Sequence, residues 1–163
     1  MLPHLGEAYS LARYLTRNDH DAEDVVQDAY LRAFTYRETF RGEGSQSARA
    51  WFLTIVRNTA FSWKRKSGNR VEVAEFDETH HSEAVAGNHP EAAMLRTAER
   101  EALADAIEQL PTEFREVIVL REVEGLSYRE ISEVVGVPAG TVMSRLSRAR
   151  ERLQRALLPV RGD

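Results

Sequence analysis

No cysteine occurs anywhere in the chain. Disulfide frameworks, thiolate metal sites and thiol nucleophiles are therefore excluded, and the composition suits a reducing compartment. Long apolar runs are also missing: no window approaches the roughly 18 uninterrupted apolar residues of a membrane-spanning helix. The opening Met1-Leu2-Pro3-His4-Leu5 lacks the basic-then-apolar order of a secretion signal. A cytoplasmic protein is expected, neither secreted nor inserted in a membrane. The usual catalytic signatures are lacking as well. There is no Gly-Lys-Ser/Thr phosphate loop, no serine or cysteine nucleophile motif and no carboxylate set at metal-ligand spacing. Catalytic, cofactor and metal sites are accordingly expected to be none. What remains is ordinary material for a helical protein, with 42% hydrophobic and 29% charged residues. Its 163 residues suffice for one domain or two small ones.

A formal net charge of −4 is unusual for a protein that touches nucleic acid. The average conceals a pattern. Arg57, Lys64, Arg65, Lys66 and Arg70 form a stretch without a single acid, and six arginines between Ser144 and Asp163 face only two acids. Against these stand five acids from Asp19 to Asp28, and eight between Glu72 and Glu101 that face only Arg96 and Arg100. Two basic islands thus alternate with two acidic stretches.

Helical periodicity organises most of the chain. From Asp21 to Phe34, the residues Ala22, Val25, Val26, Ala29, Tyr30, Ala33 and Phe34 share an apolar face. The opposite face carries Asp24, Gln27, Asp28 and Leu31, an aliphatic residue among acids, which is either a solvated stripe or a partner surface. A divalent-cation site at Asp21, Glu23, Asp24 and Asp28 is the weaker reading of these acids, because Asp24 and Asp28 share their face with Gln27 and Leu31. A Gly/Ser-rich loop is expected from Phe40 to Arg49. A helix from about Arg49 to Lys66 then buries Phe52, Ile55, Val56, Thr59, Ala60 and Trp63. Its other face presents Trp51, Thr54, Asn58, Phe61, Ser62 and Arg65. Aromatic platforms beside basic groups suit single-stranded nucleic acid. The competing reading tucks Trp51 and Phe61 into the core, with the cations favourably placed at the helix C-terminus.

From Ser67 to Pro90 the composition is that of an acidic linker, and His80, His81 and His89 lack the spacing of a metal site. Leu95, Ala98, Ala102, Leu103, Ala106, Ile107 and Leu110 describe a further amphipathic helix. Thr112 is a candidate N-cap for the next, which buries Phe114, Val117 and Ile118 and ends at Glu124-Gly125. Then comes the most specific local pattern. Ser127 and Glu130 form a capping box, Ile131, Val134 and Val135 give a short apolar face, and Gly136 stands where a turn requires positive φ. Val137 supplies a plug, Pro138 opens a second helix, and Val142, Leu146, Ala149, Leu153 and Leu157 are its buried side. Thr141, Ser144, Arg145, Arg148, Arg152 and Arg155 line the exposed side. These features predict a helix-turn-helix that reads double-stranded DNA, with arginines on phosphates beside a polar leading end in the major groove.

Several runs together resemble one family. Asp21-Ala22-Glu23-Asp24-Val25-Val26-Gln27-Asp28 is similar to the polymerase-binding motif of bacterial extracytoplasmic-function (ECF) sigma factors, the short branch of the sigma-70 family. Trp51 through Ala60 resembles that family's −10 segment. Leu110-Pro111 through Arg115, Tyr128 through Ile131 and Gly140 through Leu146 resemble its −35 domain. The resemblance implies an all-α chain of two small helical domains, 1–67 and 92–163, joined by a flexible acidic linker, 68–91. It implies that Asp24, Gln27, Asp28, Leu31 and Arg32 meet the β′ clamp helices of core RNA polymerase, the −35 domain lying on the β flap. Arg57, Asn58, Phe61, Ser62, Lys64 and Arg65 would follow the −10 strand, beside a base captured at the loop 40–49. Tyr128, Arg129, Thr141, Ser144, Arg145, Arg148 and Arg150 would read or clamp the −35 duplex. An anti-sigma factor covering these surfaces, a role in stress response, and a domain spacing set by the polymerase are further implications. Three positions depart from the family pattern: Asp28 for glutamate, Ser132 for alanine, and Met143 for a basic residue. Without the resemblance, a stand-alone helix-turn-helix regulator remains the alternative.

Overall fold

The computed structural model describes residues 4–40, 45–67 and 90–161, and every regular element among them is helical. Three helices form the first half: α1, Leu5–Thr16; α2, Asp19–Thr35; and α3, Ser45–Ser67. Helix α1 ends at Arg17 in the left-handed region, and Asn18 immediately starts α2 by accepting the Asp21 N–H at 2.8 Å. Asp19 and Asp21 occupy the first turn of α2, where carboxylates meet the positive end of the helix dipole. The core between these helices is Leu11, Leu15, Ala22, Val25, Val26, Ala29, Leu53, Val56 and Ala60, with Tyr30 and Phe52 stacked at 4.7 Å.

Two expectations change here. Phe34, assigned to the apolar face, is 66% exposed. It lies seven residues beyond Gln27 and so repeats that residue's direction on a helix with 3.6 residues per turn. Helix α3 begins at Ser45, so the loop expected to reach Arg49 is shorter than its composition implied. The loop residues 41–44 and the linker 68–89, with His80, His81 and His89, lie outside the described residues.

The second half contains α4, Pro90–Glu108; α5, Thr112–Ile118; a π-helical turn, Val119–Val123; α6, Tyr128–Val135; and α7, Ala139–Arg161. Helix α4 is less covered than its spacing implied: Ile107 is buried, whereas Ala98 is exposed and Leu103 is 42% exposed. Thr112 does not cap α5. It is the first helical residue, and Pro111 at the cap accepts the Phe114 and Arg115 N–H groups through its carbonyl at 3.0 and 2.8 Å. Phe114, Val117 and Ile118 are buried as expected.

The helix-turn-helix matches the sequence pattern closely. Ser127 Oγ accepts the Glu130 N–H at 3.1 Å, and Glu130 Oε1 accepts the Ser127 N–H at 2.9 Å. Gly136 has φ 75°, and the Ser132 hydroxyl donates to the Val137 carbonyl across the turn at 2.6 Å. Val142, Leu146 and Ala149 anchor α7 in the core, with Leu153 packed against it.

The two halves pack directly on one another. Helix α6 lies on α3, and α1 lies on α5 and the π turn. One apolar cluster runs through both halves, so in this arrangement their spacing is set by contact between them. Around the seam, Arg49 of α3 reaches Glu7 of α1 at 3.0 Å and Glu130 of α6 at 3.3 Å.

The left-handed turn at Gly136 gives a direct test. A methyl group there meets nothing within 4 Å, so the effect of Gly136→Ala is conformational and not steric. It is expected to lower unfolding free energy by about 1–2 kcal/mol, read as a lower urea midpoint at unchanged m. An unshifted midpoint would contradict the turn geometry.

Candidate nucleic-acid and polymerase interfaces

Helix α2 presents a stripe whose chemistry is mixed. Asp24 and Gln27 are exposed, and Leu31 is 68% exposed. Asp28 and Arg32 form an i,i+4 ion pair at 3.4 Å, and Asp28 also accepts the Trp63 indole N–H at 3.4 Å. That bond fixes α2 against α3 and leaves the outer face to Asp24, Gln27 and Leu31. Sequence reasoning missed Phe34 as a member of this face. With Leu31 it makes an apolar knob, capped by the Arg37 guanidinium 4.2 Å above the Phe34 ring. The heptad relation to Gln27 was the available signal.

The −10 candidates on α3 divide into two groups. Asn58 and Arg65 are exposed. Arg57 is held in a two-point bond to Glu116 of α5, Nε to Oε1 at 2.6 Å and Nη2 to Oε2 at 3.2 Å, while its guanidinium lies 4.6 Å from the Phe61 ring. Phe61, Ser62 and Lys64 are half-buried. Burial lowers the Lys64 pKa, with Arg115 and then Arg17 adding like charge nearby. Trp51 is half-buried and stacks on Phe40 at 5.0 Å. Trp51 and Phe61 therefore both serve the core while keeping an edge outside.

The helix-turn-helix face is more open. Arg129, Ser144, Arg148 and Arg150 are exposed, and Thr141 and Arg145 are half-buried. Met143, at 49% exposure, stands on the same leading turn of α7. Tyr128 is half-buried beneath Arg121, 4.7 Å from its ring. Arg150 pairs with Glu122 at 2.8 Å, and this hydrogen bond raises its pKa. Arg152 is drawn back over Phe114 at 5.1 Å. Among the described side chains of α7, Arg145 and Arg148 form no ion pair and lie in its leading and middle turns, where a groove-entering helix contacts bases and flanking phosphates.

With this geometry in place, the likenesses to known proteins are informative. Residues 2–70 match Sigma-70 region 2, and residues 100–153 match Sigma-70, region 4. The ECF RNA polymerase sigma-E factor of Haemophilus influenzae is 37% identical over 158 residues, spanning 92% of this chain and 80% of the relative. The RNA polymerase sigma-H factor of Pseudomonas aeruginosa is 38% identical over 147 residues, spanning 86% and 75%. Among solved structures, the sigma factor RpoE of Bartonella quintana in complex with the anti-sigma factor NepR aligns with TM-score 0.72 and 31% identity, over 94% of this chain and 91% of that one. CnrH in complex with the cytosolic domain of CnrY aligns with TM-score 0.65 and 28% identity, over 94% and 82%.

The protein is a transcription initiation factor of the sigma-70 class. Within that class it belongs to the extracytoplasmic-function sigma factors, which direct core RNA polymerase to promoters. That membership sets aside the stand-alone regulator. No described helix is long and apolar enough to cross a membrane.

A buried acid marks the seam between the two halves. Glu124 is 8% exposed, and among the described residues its Oε2 has no hydrogen-bond partner. Burial, reinforced by Glu7 and opposed by Arg49, pushes its carboxyl from the ordinary 4.5 up to about 8. The folded chain therefore keeps a proton that the unfolded chain loses. The stabilisation is complete below about pH 4.5 and is lost as pH rises to about 8. Glu124→Gln should flatten this part of the stability profile, measured by urea unfolding at several pH values. Parallel profiles for the two proteins would remove Glu124 from this role.

Proposed function

We propose that α2 docks on the β′ clamp helices of core polymerase through Asp24, Gln27, Asp28, Leu31 and Arg32, with Phe34 extending the contact. The observation that carries this is the exposure of Leu31 and Phe34 beside Asp24 and Gln27 on a helix whose other side is firmly buried. An exposed apolar pair amid acids suits a partner helix that offers both an apolar seam and cations.

In the same reading, Arg57, Asn58, Phe61, Ser62, Lys64 and Arg65 lie along the melted −10 strand. Tyr128, Arg129, Thr141, Ser144, Arg145, Arg148 and Arg150 hold the −35 duplex, with Met143 tuning the sequence preferred there. The working units are 1–67 and 92–163, with 68–91 as linker, and the second unit rests on the β flap. The chain supplies recognition and no catalysis, and works in the cytoplasm, where its polymerase is. The aligned RpoE structure is a complex with an anti-sigma factor, and by analogy this chain is held inactive by such a partner and released under stress.

Transcription by core polymerase over a library of randomised promoters tests the whole reading: promoter-specific transcripts are expected only when the chain is added. Asp24→Arg should abolish core binding in a pull-down while thermal unfolding stays unchanged. Undiminished capture by core would take α2 out of the polymerase interface. Arg148→Ala should weaken −35 duplex binding by about 1–3 kcal/mol if its guanidinium reads a base. A smaller loss that is uniform across sequences would reassign it to phosphate.

A further inference from the structure

We propose that Met143 selects a base of the −35 element: it favours a thymine, on either strand of the duplex, by apolar contact with the C5 methyl group in the major groove. The proposal rests on the reading of α7 as the −35 helix, and it names the chemistry by which one position of that helix chooses a base.

Helix α7 buries Val142, Leu146 and Ala149 almost completely, so its core side is filled without Met143. At about 100° per residue Met143 lies off that side, on a flank shared with Ala139, Ser147 and Arg150. All four are exposed. Thr141 shares the opposite flank with Arg145 and Arg148, which form no ion pair among the described side chains. One flank of the leading turns is therefore cationic. The other carries no charge before Arg150, which is already tethered to Glu122 at 2.8 Å. A lone exposed methionine is ordinary. On the uncharged flank of a groove-entering helix its meaning is narrower, because few base edges offer a partner that it can satisfy.

Chemistry narrows the choice to thymine. The thioether donates no hydrogen bond, and its sulfur accepts only weakly. Guanine presents two acceptors in the major groove, and adenine and cytosine each present an amino group. Covering any of these with a side chain that cannot answer them leaves a polar group dry, which is costly. Thymine alone presents a methyl group. The unbranched methionine chain can settle against that methyl by changing rotamer, with no shift of the backbone.

Gly140 supports a close approach. A methyl group there would meet nothing within 4 Å in the protein itself, so no internal contact requires glycine. Glycine inside a helix is nevertheless less favourable than alanine. Gly140 is exposed and, three residues ahead of Met143, is its neighbour on the helix surface. The missing side chain lets the leading turn lie lower in the groove, with the Met143 thioether in reach of a base edge. The turn itself is held in place, since the Pro138 carbonyl accepts the Thr141 and Val142 N–H groups at 2.9 and 3.1 Å.

The test uses the holoenzyme, assembled from core polymerase and the full chain, on a promoter recovered from the randomised library. Each thymine of its −35 element, on both strands, is replaced in turn by deoxyuridine, which removes the methyl and leaves base pairing intact. One replacement is expected to weaken binding by the parent holoenzyme about fourfold, the worth of one buried group of methyl size. With Met143→Ala the same two promoters should bind alike. Because Met143 is exposed, the urea midpoint of the variant should equal the parent's.

Binding by the parent that ignores every methyl overturns the thymine contact. So does a methyl effect that persists undiminished in Met143→Ala, or a recovered −35 element without an A·T pair. Arg148→Ala, measured beside them, separates this contact from the larger reading. If it weakens promoter binding while Met143→Ala leaves the methyl effect intact, only Met143 is misassigned. If neither variant changes promoter binding, α7 does not read the −35 element and the thymine contact falls with it.

Discussion

Glu130 performs two tasks with one oxygen. Its Oε1 accepts the Ser127 N–H, closing the capping box that begins the helix-turn-helix, and it also accepts Arg49 from the other half of the chain. Arg49 in turn binds Glu7 of α1. The residue that orients the helix-turn-helix is thereby the residue through which it meets α3. Helix α6 cannot tilt without disturbing the seam, because its cap and its contact with α3 share one carboxylate. Ser132, bonded to Val137 across the turn, then transmits the orientation of α6 to α7.

The division of labour along the seam comes from the energetics of burial. Ion pairs removed from water gain Coulombic attraction but lose hydration of similar size, so they contribute little net stability, while loss of one partner leaves a costly buried charge. The apolar cluster runs through both halves, and Arg57–Glu116 and Arg49–Glu130 bridge them beside it. An all-apolar seam of the same area would be harder to part. A charged one can be parted more readily by a surface that offers the arginines equivalent anions.

Legibility in the sequence tracked how local the determining interaction was. The capping box and the Gly136 turn span four residues and one residue, so they could be read directly, and the structure has both. The apolar core of α2 was equally plain at Ala22, Val25, Val26 and Ala29. Boundaries of a helical sector were not: Phe34 lies where the core side meets the outer side, and its periodicity fits either. Thr112 had a capping residue's chemistry, but the carbonyl of Pro111 already receives the first amides of α5. The seam itself left no trace in the pattern. Its pairs are separated by 59 and 81 positions, and nothing in a one-dimensional reading singles out Glu116 or Glu130 among 26 acids as partners of particular arginines. The family resemblance succeeded because its motifs are contiguous runs, whereas the arrangement between them is not written in any run.

The π turn at Val119–Val123 sets the rotational phase of residues 122–126. Its closing bond, from the Glu124 N–H to the Val119 carbonyl at 2.9 Å, takes in one residue more than an α-helical turn does. On a helix one residue amounts to a rotation of about 100°. With that residue included, Glu122 points outward to Arg150 of α7, and Glu124 and Leu126 point inward. The segment therefore acts as a spacer whose length matters more than its composition. Exchange of one aliphatic residue for another would leave the phase intact. Loss or gain of a single position would turn the acid of the seam toward solvent and deprive α7 of its tether, so related chains with the same architecture should vary in the letters of this stretch and agree in their number.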